Sequence, residues 1–370
     1  MKIDEVELRR IRLPYRTPFK TSFADQREKH AVIVTVRSEG VEGYGEGTMD
    51  PFPFYREECI AGAWHLLREA FAPELIARGC AHPSELTPRW AHWRGNPMAK
   101  AALEMAVWDC YARQLGVPLR TLLGGGRTEI PVGASLGMNT IDKTVENVGV
   151  HVEQGYKRVK LKIEPGWDIE PVRVIRETFG DAVPLQVDAN TAYTRDDGPL
   201  LAQLDRFGLI LIEQPLPEDD VTGHAIIAKQ VGTPICLDES IVSARAAIDA
   251  IERGACSIIN VKAGRVGGYL EAITVHDVCR ERGVPVWCGG MLETGIGRAM
   301  NLALAALPNF TITGDVSAAE RFWKRDIVLD PVRLDNGYVS LRTGPGIGVE
   351  LDHPFIESVT LSTQIIGASV

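Results

Sequence analysis

The sequence predicts an α/β protein, a TIM-type barrel of parallel strand–helix units preceded by an α+β module. Three observations predict it. Short apolar runs recur at a steady interval, and each ends beside an ionisable residue: Lys162, Asp188, Glu213, Asp238 and Lys262 follow one another at steps of 26, 25, 25 and 24 residues. A repeat of that length, strand then helix, is the mark of parallel βαβ units. The run Arg158-Val159-Lys160-Leu161-Lys162-Ile163, read as a strand, puts both lysines on one face. Adjacent ammonium groups repel, so a purely structural strand gains nothing from them. Finally, 370 residues exceed one ordinary domain and fit a barrel of about 200–250 residues plus a second module.

Taken in order, residues 1–50 read as an antiparallel meander. Val6-Glu7-Leu8-Arg9 opens it, Ala31 to Val36 follows, and a Ser38-Glu39-Gly40 turn leads into Val41 to Glu46. Polar, aromatic-bearing loops are expected from Tyr15 to His30 and from Gly47 to Tyr55. Gly43-Tyr44-Gly45-Glu46-Gly47 looks like a phosphate loop, but it opens no helix and is rejected as one. Residues 56–123 read as helices. The clearest begins at Asn96-Pro97, a cap residue followed by proline at the first helical position, and stops at Gly116.

From Ile130 the strand–helix beat begins, with strands expected at 130–136, 157–163, 184–189, 209–213, 234–238, 257–262, 284–288 and 310–314. Eight is the barrel count. Helices are expected between them, as at Ile169–Phe179 and Ala244–Arg253, and the tail is rich in Pro and Gly. The division is therefore 1–125 for the cap, 126–320 for the barrel, and 321–370 for a segment returning to the cap.

Strand ends of a barrel meet at its C-terminal face, where barrel enzymes keep their sites. One carboxylate there is ordinarily a cap or a surface charge. Asp188, Glu213 and Asp238 at successive strand ends repel one another and need a counter-ion. Three hard oxygen ligands leaving positions open suit Mg²⁺ or Mn²⁺. Lys160-x-Lys162 alone would pass for a snorkelling pair. Lys262, however, ends the sixth strand, diametrically opposite the second, so a lysine stands on either side of a metal-bound substrate. That arrangement suits removal of a proton α to a carboxylate, with the metal stabilising the enediolate.

The ordered set Lys-x-Lys, Asp-Ala-Asn, Glu-Gln-Pro, Asp-Glu-Ser and Lys resembles the enolase superfamily over essentially the whole chain. Arg158–Trp167, Leu185–Thr194, Arg265–Leu270 and Trp287–Arg298 resemble its muconate-lactonizing subgroup, within it the o-succinylbenzoate synthases and N-acylamino acid racemases. The resemblance implies an enolase-like fold, a (β/α)7β TIM-type barrel with an α+β capping domain, with metal ligation by Asp188, Glu213 and Asp238, acid/base roles for Lys162 and Lys262, and electrostatic support from Lys160. It also implies that Asn190 and Glu239 steady the ligands, and that Ser135, Gly290 and Met291 touch substrate. The two loops become a lid, with Phe19, Phe23 and Tyr55 as wall residues. Members of the group often carry Gly after the lid Phe, where this chain has Phe23-Ala24, which puts specificity rather than mechanism in question.

The seventh strand ends Trp287-Cys288-Gly289-Gly290, without the His of a mandelate-type base. The reaction expected is o-succinylbenzoate synthesis by dehydration, N-succinylamino acid racemisation, or both. Dipeptide epimerase and muconate cycloisomerase are the rivals on the same scaffold, and Gly-Gly-Met-Leu-Glu-Thr-Gly in place of an Asp-x-Asp favours the first choice over the epimerase. A non-catalytic ligand-binding barrel is the rival of another class, opposed by the intact lysines and carboxylates. The partner expected is a small carboxylate substrate, in a homo-oligomer. A net charge of −9 argues against nucleic acid, and no apolar run of about 18 residues suggests a membrane span. Seven cysteines without a Cys-x-x-Cys pair read as free thiols, which with the absence of a secretory start points to the cytoplasm.

Overall fold

The computed structural model describes residues 1–20 and 25–367. Glu5–Lys20, Asp25–Ser38 and Val41–Gly47 form the expected meander, and Thr360–Gly367 pairs antiparallel with the first strand on its outer edge. The region expected as a loop from Tyr15 to His30 is shorter than predicted. Pairing of the first two strands runs on to Pro14–Glu28 and, after an irregularity, resumes at Phe19–Gln26. Polarity misled here, because an antiparallel ladder is held by backbone bonds that a polar sequence makes equally well.

Period-two alternation serves both faces of this sheet. Val32, Val34 and Val36 pack on the cap helices, while Ala31 and Ile33 join the cluster that continues into the barrel. The long helix Pro97–Gln114 lies across the third strand at close range. A side chain at Gly43 would collide with the Cys110 backbone, and one at Gly45 with the Ala102 carbonyl. These glycines therefore serve helix–sheet packing. The predicted cap at Asn96 is not made: Asn96 has φ +53° and its side chain donates to the Arg94 carbonyl. Glu58 supplies the cap, accepting from Met98 N at 2.7 Å and Ala99 N at 3.0 Å.

The barrel strands run Ala134–Leu136, Val159–Lys162, Leu185–Asp188, Ile212–Glu213, Ile235–Leu237, Ile258–Val261 and Val286–Cys288, all parallel and in that spatial order. The eighth stave is a bridge segment. Phe310 pairs with Val286 and Gly314 with Val132, which curls the sheet toward closure. All seven cysteines are free; Cys236 fills the barrel interior with Leu211, Ile258 and Trp287. Among the described residues, no helix is long and apolar enough to cross a membrane.

Buried carboxylates of the cap dock the N-termini of barrel helices. Glu104 accepts from Tyr269 N at 2.9 Å and Leu270 N at 3.1 Å, at the start of helix Tyr269–Glu281, and from Trp108 Nε1 at 2.7 Å. Glu46 accepts from Thr294 N at 3.0 Å and Gly297 N at 2.9 Å, at the start of Gly295–Ala305. Burial pushes the Glu104 carboxyl up to about 7 despite these donors. Because the folded value exceeds the unfolded one, the stability this group contributes is full below pH 4.5 and is lost as pH rises through about 7. Glu104→Gln removes that term. Urea midpoints of the two proteins should diverge across this window by the equivalent of about 3 kcal/mol, and parallel pH profiles would contradict the assignment.

Candidate active site

Backbone register assembles the site. Lys162 lies beside Asp188, and Asp188 beside Glu213, on neighbouring strands; Ser135 lies beside Lys160. Asp238 and Lys262 each follow the last residue of their strand. Lys160, Lys162, Asp188 and Lys262 line one cleft, together with Tyr55, Ser135, Asn190, Gly290 and Met291, and Glu213 and Asp238 contact its lysines from behind the lining.

Asp188, Glu213, Asp238 and Asp315 are each matched to a cation. Lys160 Nζ lies 3.0 Å from Asp188 Oδ2, 3.0 Å from Glu213 Oε2 and 2.6 Å from Asp315 Oδ2, over the Trp287 ring. Lys162 Nζ contacts Asp188 Oδ2 at 2.6 Å and Asn190 Oδ1 at 2.5 Å. Lys262 Nζ contacts Asp238 Oδ2 at 2.7 Å and Tyr55 Oη at 3.0 Å, and Arg265 takes the other Asp238 oxygen. Asn190 Nδ2 donates to Glu239 Oε1 at 2.9 Å, and Asn260 Nδ2 to Glu213 Oε1 at 2.8 Å. Among the described residues, no three His, Cys, Asp or Glu side chains stand grouped for a metal ion. Ammonium groups lie between the carboxylates instead, as Coulomb attraction at this burial requires.

The electrostatics follow from those contacts. Burial alone would discharge Lys160, but Asp315, Glu213 and Asp188 outweigh it and hold its pKa above the ordinary lysine value. Burial likewise opposes the charge on Lys262, and Tyr55, Glu239 and Glu213 hold it up. Asp188 is held far below the carboxylate range by Lys162 and Lys160 despite its burial. Burial, then the charge of Asp188, push both Glu213 and Glu239 upward.

Residues 143–355 match the family model Enolase C-terminal domain-like, and residues 4–124 match Mandelate racemase / muconate lactonizing enzyme, N-terminal domain. The chain belongs to the enolase superfamily. It is similar to the N-succinylamino acid racemase of Amycolatopsis sp, 52% identical over 369 residues with all of both chains covered. It is also similar to the o-succinylbenzoate synthase of Geobacillus kaustophilus, 48% identical with 97% of this chain and 96% of the other covered. The crystal structure of an enolase superfamily member from Listeria innocua matches it with a TM-score of 0.96 at 40% identity over the full length of both chains. The protein is an enzyme of this superfamily.

Of the residues singled out in the sequence of this superfamily member, the lysines, Asp188, Glu213, Asp238, Asn190, Glu239 and Tyr55 are joined by direct contacts. Ser135, Gly290 and Met291 line the same cleft. Phe23 lies outside the described residues, and Phe19 is placed by its backbone only, at the end of the first strand. Asp315 and Arg265 were missed. Asp315 ends the eighth stave, so extending the strand-end rule one step would have found it; Arg265 sits one helical turn after Lys262. Because one ammonium, Lys160, contacts the buried Asp188 and Glu213 as well as Asp315, Lys160→Met should cost about 3–5 kcal/mol in divalent-free buffer. A loss under about 1 kcal/mol on chemical denaturation would show that the pairing contributes little.

Proposed function

We propose that this enzyme removes the proton α to a carboxylate, giving an enediolate, and that it racemises N-succinylamino acids and dehydrates the cyclohexadiene precursor of o-succinylbenzoate. The observation that carries the reading is the pair Lys162 and Lys262, ending the second and sixth of eight staves and lining one cleft beside buried carboxylates. Relatives named for each reaction stand at comparable identity, which supports reading both into one site.

The donor set fits a hard divalent cation, Mg²⁺ or Mn²⁺. Asp188, Glu213 and Asp238 are buried oxygen donors on successive strands, and the first two are close enough for one ammonium to bridge them. Around them, among the described residues, Glu239 Oε2, Gln186 Oε1 and Asn260 Oδ1 are buried acceptors without a hydrogen-bond donor. When bound, the ion would neutralise the substrate carboxylate and so acidify its α C–H.

The chain's own side chains then divide the work. Lys162, as a neutral amine, takes the α-proton from one face. Lys160, kept charged by its three carboxylates, holds positive charge where the enediolate develops. Lys262 returns a proton from the opposite face in racemisation. In dehydration Lys162 hands its proton to the departing hydroxyl, which leaves as water from the same face, while Lys262 stays charged against the intermediate. Asn190 orients Lys162, and Tyr55 orients Lys262.

The test is incubation with Mg²⁺ in D₂O, with N-succinylamino acids and with the cyclohexadiene substrate. Deuterium at the α-carbon and loss of diene absorbance are expected. EDTA should stop both and Mg²⁺ or Mn²⁺ restore them. Silence on both substrates overturns the reading, and full activity in EDTA overturns the metal assignment.

A further inference from the structure

A second cationic feature shares the cleft and takes no part in the chemistry above. Arg321 ends a single helical turn, Ala319–Arg321, just beyond the eighth stave. It lines both the catalytic cleft and a surface groove that opens from it. Its Nη2 donates to the Ser135 carbonyl at 2.8 Å and its Nη1 to Ser317 Oγ at 3.1 Å. Among the described residues, those bonds leave Nε–H and a second hydrogen on each Nη unspent. Phe322 lies between two guanidinium groups: Arg321 is 5.1 Å from its ring centroid and Arg298 is 4.8 Å.

Among the described residues, neither arginine forms an ion pair. Asp315, whose charge reaches Arg321, has its oxygens on Arg158 and Lys160. The carboxylates whose charge reaches Arg298 are committed to backbone N–H groups: Glu293 to Met291, Asp326 to Gly295, and Glu46 to Thr294 and Gly297. Arg298 is 2% exposed, and its Nε has no hydrogen-bond partner. Arg321 is half-buried beside the buried Arg298, and withdrawing guanidinium groups from water without carboxylates is unfavourable, a cost offset when a ligand brings the anion.

We propose that Arg321, backed by Arg298 across Phe322, binds the second carboxylate of a dicarboxylate substrate, the free end of its succinyl group, and so sets the preference for N-succinyl over uncharged N-acyl groups. This rests on the proposed function. The planar fork of arginine grips a carboxylate through paired N–H bonds. The placement fits as well. Ser135, whose carbonyl holds Arg321, is the strand neighbour of Lys160, one interstrand spacing of about 4.8 Å away. The lysines and Arg321 line the same cleft, so one dicarboxylate can meet both, with Arg321 acting as a specificity residue.

The experiment compares N-succinylmethionine with N-acetylmethionine for the unsubstituted enzyme, Arg321→Met and Arg321→Lys. Arg321→Met should raise KM for the succinyl substrate about 10- to 100-fold and leave kcat/KM for the acetyl substrate within about twofold. Arg321→Lys, which keeps the charge but not the fork, should fall between them. An equal loss on both substrates would show a structural role and overturn the assignment, as would no change on either. Inactivity of the unsubstituted enzyme on both would instead overturn the proposed function, and this inference with it.

Discussion

The structure depends on holding many opposite charges together where water is scarce. At the C-terminal end of the barrel, Asp188, Glu213 and Asp238 are buried with Lys160, Lys162, Lys262, Arg158 and Arg265, and Asp315 adjoins them half-buried. Each charge alone would be costly to desolvate, and each is tolerable because its neighbours on adjacent strands carry the opposite sign. A parallel barrel makes this possible, since it delivers side chains from successive strands at a fixed spacing to one point. Among the described residues, the same arrangement leaves acceptors such as Glu239 Oε2 and Asn260 Oδ1 without a protein donor.

The cap is bound to this end of the barrel by the same kind of interaction. Glu104 and Glu46 accept the free N–H groups at the N-termini of helices that follow Lys262 and Met291 in the chain. Lys29 adds a polar tie, donating from the second cap strand to the carbonyls of Thr48 and Met291. Cap and barrel thus close one cleft through contacts that also fix the loops carrying Lys262 and Met291.

Much of this was legible in the sequence because strand, turn and charge repeat with the barrel's own period. The strands near 159, 185, 235, 258 and 286 lie where the beat placed them, and Ile169–Phe179 has the bounds the pattern suggested. The period fails where the backbone is irregular. The eighth stave is a bridge segment and hid Asp315; Arg265 and Arg321 sit on single helical turns too short to show any periodicity. The Asn96 cap failed for another reason. A long-range partner, Glu58, reached the same N–H groups, and only tertiary structure reveals that. The hairpin was under-read because its polar residues pair through the backbone.

The central claim is that Lys162 is the base common to both reactions. Lys162→Ala, checked by circular dichroism for an intact fold, should be assayed for racemisation and for dehydration with Mg²⁺ present. The account predicts that both fall together by about 10³-fold or more. Retention of either reaction within about tenfold of the unsubstituted enzyme would contradict it.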